Sequence, residues 1–98
     1  MKTDRKIILD HIKAEVKKFP LIQKAWIYGS FSRQDDGPKS DIDLAIQVDG
    51  NMSYFDLAEI QYQLEKTINR KIDIGFMDSF QPNILKNVAP DLKLIYER

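Results

Sequence analysis

The sequence predicts an α/β (α+β) fold in which a small mixed β-sheet packs against helices. Helical and strand-like segments alternate along the chain, and the apolar residues of two strand-like segments, 41–48 and 71–76, recur with period 2. Chain length is the third observation, because 98 residues and 11.4 kDa suffice for one hydrophobic core and no second one. We therefore expect a single domain over residues 1–98.

Composition limits the classes of function. Fifteen basic and fifteen acidic residues cancel, so no net field attracts nucleic acid, and we expect no broad nucleic-acid binding. The apolar run near the N-terminus, Ile7-Ile8-Leu9, is too short for a signal peptide or a membrane span. The absence of cysteine excludes disulfides and thiolate chemistry and is compatible with a cytoplasmic location, which we expect.

The first two elements follow from their periodicity and from proline. Residues 3 to about 19 predict an amphipathic helix, because apolar residues recur at helical spacing and Pro20 follows. His11, the only histidine, is expected at the surface or boundary of this helix. Residues 21–28 predict a strand with apolar residues on both faces, which indicates a central strand covered on two sides.

The second half of the chain predicts two helices and one or two strands. Ser53 opens an S-Y-F-D capping-box pattern, so a helix is expected over residues 53–70, with Glu65 in solvent. Residues 71–76 predict the third strand. A last helix is expected to begin near Pro82 and to end at Pro90, followed by a short terminal element compatible with a strand. The inner edge of that helix would be Ile84, Leu85 and Val88.

The most informative stretch is residues 29–48, GSFSRQDDGPKSDIDLAIQV. From residue 41 onward apolar and polar residues alternate, which predicts a half-buried strand with Asp41 and Asp43 on its non-core face. Two ionised carboxylates about 5 Å apart repel by roughly 3 kcal/mol at an effective dielectric near 20. Because a cation would relieve this repulsion, the D-x-D spacing suits a metal ion.

A second feature of this stretch is the Gly29-Ser30 turn, which follows the first strand and precedes residues that can start a helix. Such a turn exposes backbone N–H groups, where a phosphate can bind and the serine hydroxyl can add a donor. Arg33 lies one helical turn later, close enough to contact a bound triphosphate, although a solvated helix arginine is the alternative. Residues 35–38, DDGP, predict a turn, in which the two aspartates are turn formers and not ligands.

Asp73 is the third candidate carboxylate. It lies in the middle of the third strand, where aspartate is disfavoured unless it has a task, and Gly75 leaves room beside it. The three carboxylates lie on two different strands: Asp41 and Asp43 on one, and Asp73 on the other. The three can share one surface only if those strands are neighbours with matched faces, which is a geometric condition on the structure.

The combination of G-S, ten intervening residues and D-x-D flanked by apolar residues resembles the signature of the DNA polymerase beta nucleotidyltransferase superfamily. In so short a chain, GSFSRQDDGPKSDIDLAI is similar to the minimal nucleotidyltransferase (MNT) domain proteins of prokaryotes. The resemblance runs over most of the chain and implies a palm-like fold. One departure is Gln34, where many relatives carry glycine after the arginine; this position shapes the turn.

The resemblance also implies the site residues and the cofactors. Asp41, Asp43 and Asp73 would be the catalytic and metal-binding carboxylates. The nucleotide-binding residues would be Gly29, Ser30, Arg33 and Ser40, with the serine before D-x-D orienting its loop. Magnesium, as two ions, is expected because the site is all-oxygen and also takes phosphate, and ATP is the expected substrate.

The resemblance implies transfer of AMP from ATP to a hydroxyl on a partner protein. MNT proteins often pair with a small helical HEPN protein, so a HEPN partner and an antitoxin role are expected. A chain of this size has no room for a separate acceptor-binding domain, so the acceptor would dock from outside. A non-catalytic antitoxin that acts by occlusion, a small-molecule or RNA acceptor and a purely structural domain are the alternatives. Base preference and oligomeric state, a homo-oligomer included, are left open.

Overall fold

The computed structural model describes residues 5–35, 37 and 40–98. In chain order these residues form α1 (Arg5–Lys17), β1 (Ile22–Tyr28), α2 (Gly29–Arg33), β2 (Ile42–Val48), α3 (Tyr54–Ile68), β3 (Ile72–Phe76), α4 (Pro82–Val88) and β4 (Lys93–Glu97). Single 3₁₀ turns, Met77–Ser79 and Ala89–Asp91, flank α4. Four residues of interest lie outside the described residues: Thr3 at the predicted helix start, Asp36 and Pro38 of the predicted turn, and Lys39 after it.

The four strands form one mixed sheet in the order β3-β2-β1-β4. Strand β1 runs antiparallel to both β2 and β4, whereas β2 and β3 are parallel and are joined through α3. A parallel pair needs such a crossover, because a tight turn can only reverse the chain. The predicted class, a small mixed sheet with helices against it, is confirmed.

One face of the sheet packs against α1 and α3 and forms the hydrophobic core. The alternating apolar residues of the strands meet the apolar stripes of the two helices on this face, as their periodicities require. The core residues from these elements are Ile8, Ile12, Val16, Ile22, Ala25, Ile27, Ile42, Leu44, Ile46, Leu57, Ile60, Leu64 and Ile72. Phe31, 1% exposed, belongs to the same core and fixes the short helix α2 to it.

The opposite face of the sheet is only partly covered. Trp26 and Tyr28 of β1 point to this face and are half-buried, and Asp73 of β3 is exposed. The prediction for β1 is therefore right about its central position in the sheet and wrong about full cover on both sides. We call this side of the sheet the open face. Polar side chains of the strands can reach solvent on this face.

Local signals in α3 and α4 have mixed outcomes. The capping box is confirmed: the Ser53 hydroxyl accepts from the Asp56 N–H at 3.1 Å, and the Asp56 carboxylate accepts from the Ser53 N–H at 3.3 Å. Two details are wrong. Ile84 is 47% exposed and is not part of an inner edge of α4. Glu65 is half-buried and accepts the backbone N–H of Ile72 at 2.9 Å, which fastens α3 to the start of β3.

His11 is exposed on α1, as predicted. Within the described part of the chain, no helix combines the length and the apolar character that crossing a membrane requires.

Two helices end on a residue with left-handed backbone. Gln34 follows α2 with φ 66° and ψ 24°, and Asn69 follows α3 with φ 62° and ψ 38°. Glycine adopts this conformation without strain and asparagine tolerates it, whereas the longer glutamine does not share either advantage. The position at which the sequence departs from its relatives is thus one where the backbone favours glycine.

We predict that Gln34→Gly raises the free energy of unfolding by about 1 kcal/mol, because it removes the Cβ penalty of the left-handed backbone. Asn69→Gly is the matched control and should gain less. Urea denaturation followed by circular dichroism measures both. A midpoint for Gln34→Gly at or below that of the wild type would contradict the prediction.

Candidate active site

Three residues form a row across the open face of the sheet. Tyr28 of β1 lies opposite Asp43 of β2, and Asp43 lies opposite Asp73 of β3. Residues opposite each other on neighbouring strands lie on the same face, with strands about 4.8 Å apart. The geometric condition on the carboxylates is therefore met for Asp43 and Asp73, since their strands are neighbours and their faces match.

Asp41 lies two residues before Asp43 and immediately before β2, which begins one residue later than expected. It is exposed, whereas Asp43 is half-buried. Burial is the main cause that raises the pKa of Asp43, followed by the charges of Asp73 and Asp41, while the charge of Arg33 lowers it. The carboxylates of Asp73 and Asp41 are therefore close enough to disfavour the ionisation of Asp43.

The same environment acts on Tyr28. Burial first, and then the charges of Asp43 and Asp73, raise the pKa of the Tyr28 hydroxyl to about 12. The hydroxyl therefore keeps its proton at neutral pH and adds no further negative charge beside the carboxylates.

These carboxylates fit magnesium by the chemistry of their donor atoms. Carboxylate oxygens on an open face leave coordination positions for water and phosphate, which magnesium requires, and a cation would relieve the mutual repulsion. Across residues 5–35, 37 and 40–98, no three histidine, cysteine, aspartate or glutamate side chains are gathered closely enough to hold a metal by themselves. A cation here would therefore need ligands from outside the chain in addition to the carboxylates.

Gly29 brings the turn between β1 and α2 against Asp43. Its φ is +71°, and a Cβ built on Gly29 would overlap the Oδ2 atom of Asp43. Only glycine fits at this position, for both the backbone conformation and the space. Ser30, the next residue, is half-buried in the first turn of α2. The structure thus places the Gly29-Ser30 turn directly beside the carboxylates.

Arg33 makes ion pairs instead of standing free in solvent. Its guanidinium lies 2.7 Å from the Asp91 carboxylate and 3.1 Å from the Asp35 carboxylate. The hydrogen bonds that Arg33 donates to the carboxylates of Asp35 and Asp91 raise the pKa of Arg33. The buried hydroxyl of Ser32 donates to the Asp91 carbonyl, so α2 is fastened to residue 91 by two side chains. Sequence reasoning missed Ser32 and Asp91, since no local pattern signals a contact between residues 58 or 59 positions apart.

Ser40 shapes the loop that leads to Asp41. Its hydroxyl accepts from the Gly37 N–H at 2.9 Å, and its own N–H donates to the Gly37 carbonyl at 3.1 Å. These two bonds join Gly37 to Ser40 immediately before the D-x-D pair. The structure therefore gives Ser40 contacts within its loop that can set the direction in which the chain enters β2.

Arg70 holds this loop from the other side and was missed by sequence reasoning. Its Nε and Nη2 atoms donate to the Ser40 carbonyl at 3.3 and 2.8 Å, and Nη2 also donates to the Gly37 carbonyl at 3.3 Å. The guanidinium also lies 5.5 Å from the centre of the Phe31 ring. One side chain thus joins the segment before β3, the loop before Asp41 and helix α2, next to all the candidate site residues except Asp43 on β2.

Residues 10–98 match the family model described as Polymerase beta, Nucleotidyltransferase. This match spans most of the chain, so the chain belongs to this family and is a nucleotidyltransferase. The resemblance inferred from the G-S and D-x-D motifs is confirmed.

Two proteins of Methanocaldococcus jannaschii are similar in sequence. The one named "Putative protein adenylyltransferase MJ0435" is 32% identical over 61 residues, which cover 62% of this chain and 66% of that protein, slightly under two thirds of its length. The one named "Putative protein adenylyltransferase MJ0126" is 30% identical over 88 residues, covering 89% of this chain and 90% of that protein.

Two solved structures share the fold. A chain in a crystal structure of a toxin–antitoxin with AMP-PNP superposes with a TM-score of 0.81 at 19% identity, covering 92% of this chain and 73% of that one. A chain in the complex of a tri-AMPylated Shewanella oneidensis HEPN toxin with an MNT antitoxin gives 0.78 at 17% identity, covering 97% and 74%. At identities this low, the two superpositions establish a shared fold alone.

We predict that Asp73→Asn lowers the pKa of Asp43, because the charge of Asp73 is the largest electrostatic cause that raises it. Asp41→Asn should lower the pKa of Asp43 less. Carboxyl carbon chemical shifts, followed by NMR titration without divalent cations, measure both. An unchanged Asp43 titration in Asp73→Asn would show that the two carboxylates do not interact.

We predict that Arg70→Lys lowers kcat/KM for nucleotidyl transfer about tenfold or more, because lysine cannot hold both loop carbonyls with one planar group. Arg98→Lys is the matched control, since Arg98 also donates to backbone carbonyls, of Ile22, Lys17 and Phe19. Steady-state kinetics and unfolding midpoints are measured for both. Equal activity losses in the two variants would contradict a positioning role for Arg70.

Proposed function

We propose that this chain transfers AMP from ATP, with magnesium, to a hydroxyl group of a HEPN-type partner protein, and that it acts as the antitoxin of the pair. The observation that carries the proposal is the position of Asp43 opposite Asp73 on the open face, with Gly29 against Asp43. The names of the two archaeal relatives support a protein as acceptor. The HEPN–MNT complex and the AMP-PNP complex among the structural neighbours support the partner and the nucleotide.

Each candidate residue has a role that its surroundings allow. The triphosphate would lie on the backbone N–H groups of the turn at Gly29 and Ser30, next to Asp43. Ser40 orients the loop that carries Asp41. Arg33, which is paired with Asp35 and Asp91, contributes positive charge that already acts on Asp43. We assign it to neutralising the phosphates from the rim of the site and to holding α2 in place.

Magnesium held by Asp41, Asp43 and Asp73 would neutralise the charge of the phosphates and of the carboxylates. Within this arrangement the acceptor hydroxyl oxygen forms a bond to the α-phosphorus. The bond from the α-phosphorus to the bridging oxygen of the β-phosphate breaks, and pyrophosphate leaves with its electron pair. The hydroxyl proton passes to Asp73, which is exposed on the side from which an acceptor can approach.

The open face explains how a second protein can supply the acceptor. Asp41 and Asp73 are both exposed, and Tyr28 and Trp26 beside them are only half-buried. A hydroxyl on another protein could therefore reach the carboxylates without any strand or helix of this chain moving. The same openness means that positioning of the acceptor must come largely from the partner.

The test is intact-mass spectrometry of the chain incubated with ATP, magnesium and a HEPN protein encoded beside it. We expect the partner to gain the mass of one or more AMP residues. The double variant Asp41→Asn/Asp43→Asn should reduce the rate at least about 100-fold, because it removes groups that act on the developing charge. Asp49→Asn is the matched control, an exposed aspartate just after β2 that should leave the rate unchanged.

Two outcomes would overturn the proposal. If the partner gains no mass, yet both the wild type and the double variant still bind and neutralise it, the chain acts by occlusion. If the double variant transfers AMP as fast as the wild type, transfer takes place at some other site.

A further inference from the structure

A cavity of about 300 Å³ lies beside β3, next to the candidate active site. It is formed between the first half of α3, the outer edge of β3 and the segment that follows β3. The lining residues that matter here are Tyr54, Gln61, Ile74, Gly75, Phe76 and Phe80. The cavity is mostly apolar and none of the site residues discussed above lines it.

We propose that this cavity binds the nucleobase of the triphosphate whose phosphates lie at the carboxylates. The inference rests on the proposed function, since it assigns a place to a further part of the same nucleotide. The inference adds a binding subsite formed by α3, β3 and the segment after β3. This subsite is separate from the Gly29-Ser30 turn and from the carboxylates.

The position of Gly75 connects the cavity to the site. Gly75 lies two residues after Asp73, so it is on the same open face and about 6.6 Å further along the strand. A ribose spans a distance of this order between the α-phosphate and the base. A Cβ built on Gly75 meets no heavy atom within 4 Å among the described residues other than its chain neighbours, so the space beside Gly75 is open and can serve as a passage from the open face to the cavity.

The walls of the cavity suit a flat aromatic ligand. Tyr54 and Phe76 pack edge to face with their ring centres 5.7 Å apart. Phe80 packs in the same manner against Tyr28, at 5.4 Å, and Tyr28 is in register with Asp43. Each ring is thus held in place by another ring. Stacking on aromatic side chains binds any base, because every base has a π-face.

The backbone of β3 supplies the hydrogen-bonding groups. β3 is an edge strand, so the backbone groups of successive residues point alternately towards β2 and away from it. The Lys71 carbonyl accepts from Ile42 of β2, and the next N–H, that of Ile72, points away and donates to Glu65. By this alternation, the N–H and C=O of Ile74 also point away from β2.

Ile74 lines the cavity, so these two groups offer one donor and one acceptor at its edge. Adenine matches them with N1 as acceptor and its 6-amino group as donor. Gln61 also lines the cavity; its Nε2 donates to the Glu65 carboxylate at 3.4 Å, and its amide oxygen can accept a further hydrogen bond. The cavity therefore combines stacking surfaces with an edge that adenine can satisfy, which is how proteins bind an unstacked base.

Calorimetric titration with ATP and with inorganic tripolyphosphate, both with magnesium, tests the inference. Tripolyphosphate has the phosphates without the nucleoside. We expect the wild type to bind ATP about tenfold or more tightly than tripolyphosphate. Gly75→Val places a side chain in the passage and should reduce ATP affinity to that of tripolyphosphate, with tripolyphosphate affinity unchanged.

Gln47→Val is the matched control, because it puts the same side chain at an exposed position on the same face of β2. It should keep the preference for ATP. Phe80→Ala is a second variant, which removes one wall without altering β3 and should also reduce the preference if Gly75→Val fails to fold.

Equal affinities of the wild type for ATP and tripolyphosphate would overturn the inference, as would a full preference for ATP in both Gly75→Val and Phe80→Ala. The proposed function fails separately. Tight ATP binding without transfer of AMP to the partner would refute transfer and leave the base subsite standing, whereas no binding of either compound would refute both.

Discussion

The site depends on the register between the parallel strands β2 and β3. Asp43 faces Asp73 only because Ile42 pairs with Ile72 and Leu44 with Ile74. A slip of β3 by one residue would turn Asp73 towards the core and both Ile72 and Ile74 towards the open face. Ile42 and Ile72 are fully buried, so the hydrophobic core holds the register that brings two mutually repelling carboxylates together. Burial of apolar side chains thus offsets the electrostatic cost of placing Asp43 beside Asp73, the pair to which we assign nucleotide transfer.

Short-range patterns predicted most of the elements. Alternation of apolar residues identified β2 and β3, apolar residues on both faces indicated β1, the capping box placed the start of α3, and prolines marked the ends of two helices. The signature around Gly29 and Asp43 identified the nucleotidyltransferase family. Contacts between distant parts of the chain decide which strands are neighbours. The pairing of β2 with β3 could therefore be stated only as the condition under which the carboxylates share one surface. The incomplete cover of β1 on the open face could not be predicted either. Within a short stretch of sequence, apolar Trp26 and Tyr28 resemble core residues, although both are only half-buried.

The supporting contacts of the site were beyond sequence reasoning. Arg70 binds loop carbonyls some thirty residues earlier in the chain, and Glu65 accepts the N–H at the start of β3. A charged residue near a helix end normally lies in solvent, so composition and position gave no signal for either contact. Gln34 differs, since comparison with the family had marked its position and its positive φ now supplies the physical reason. The roles of the individual site residues in catalysis stay predictions, as neither the fold nor the family membership tests them.

The attachment of Ser32 and Arg33 to Asp91 has a consequence for how the molecule reaches its working form. The carboxylates lie on β2 and β3, which are joined by the single helix α3. The unit β2-α3-β3 can therefore assemble from neighbouring parts of the chain. The turn beside them is secured by a residue almost sixty positions later, next to β4, which pairs with β1. Contacts of such long sequence separation are slow to form, because a long loop must close first. During synthesis, the chain would therefore carry the carboxylates to which we assign metal binding before it could hold a triphosphate firmly. Competence for transfer would come only with the last part to fold.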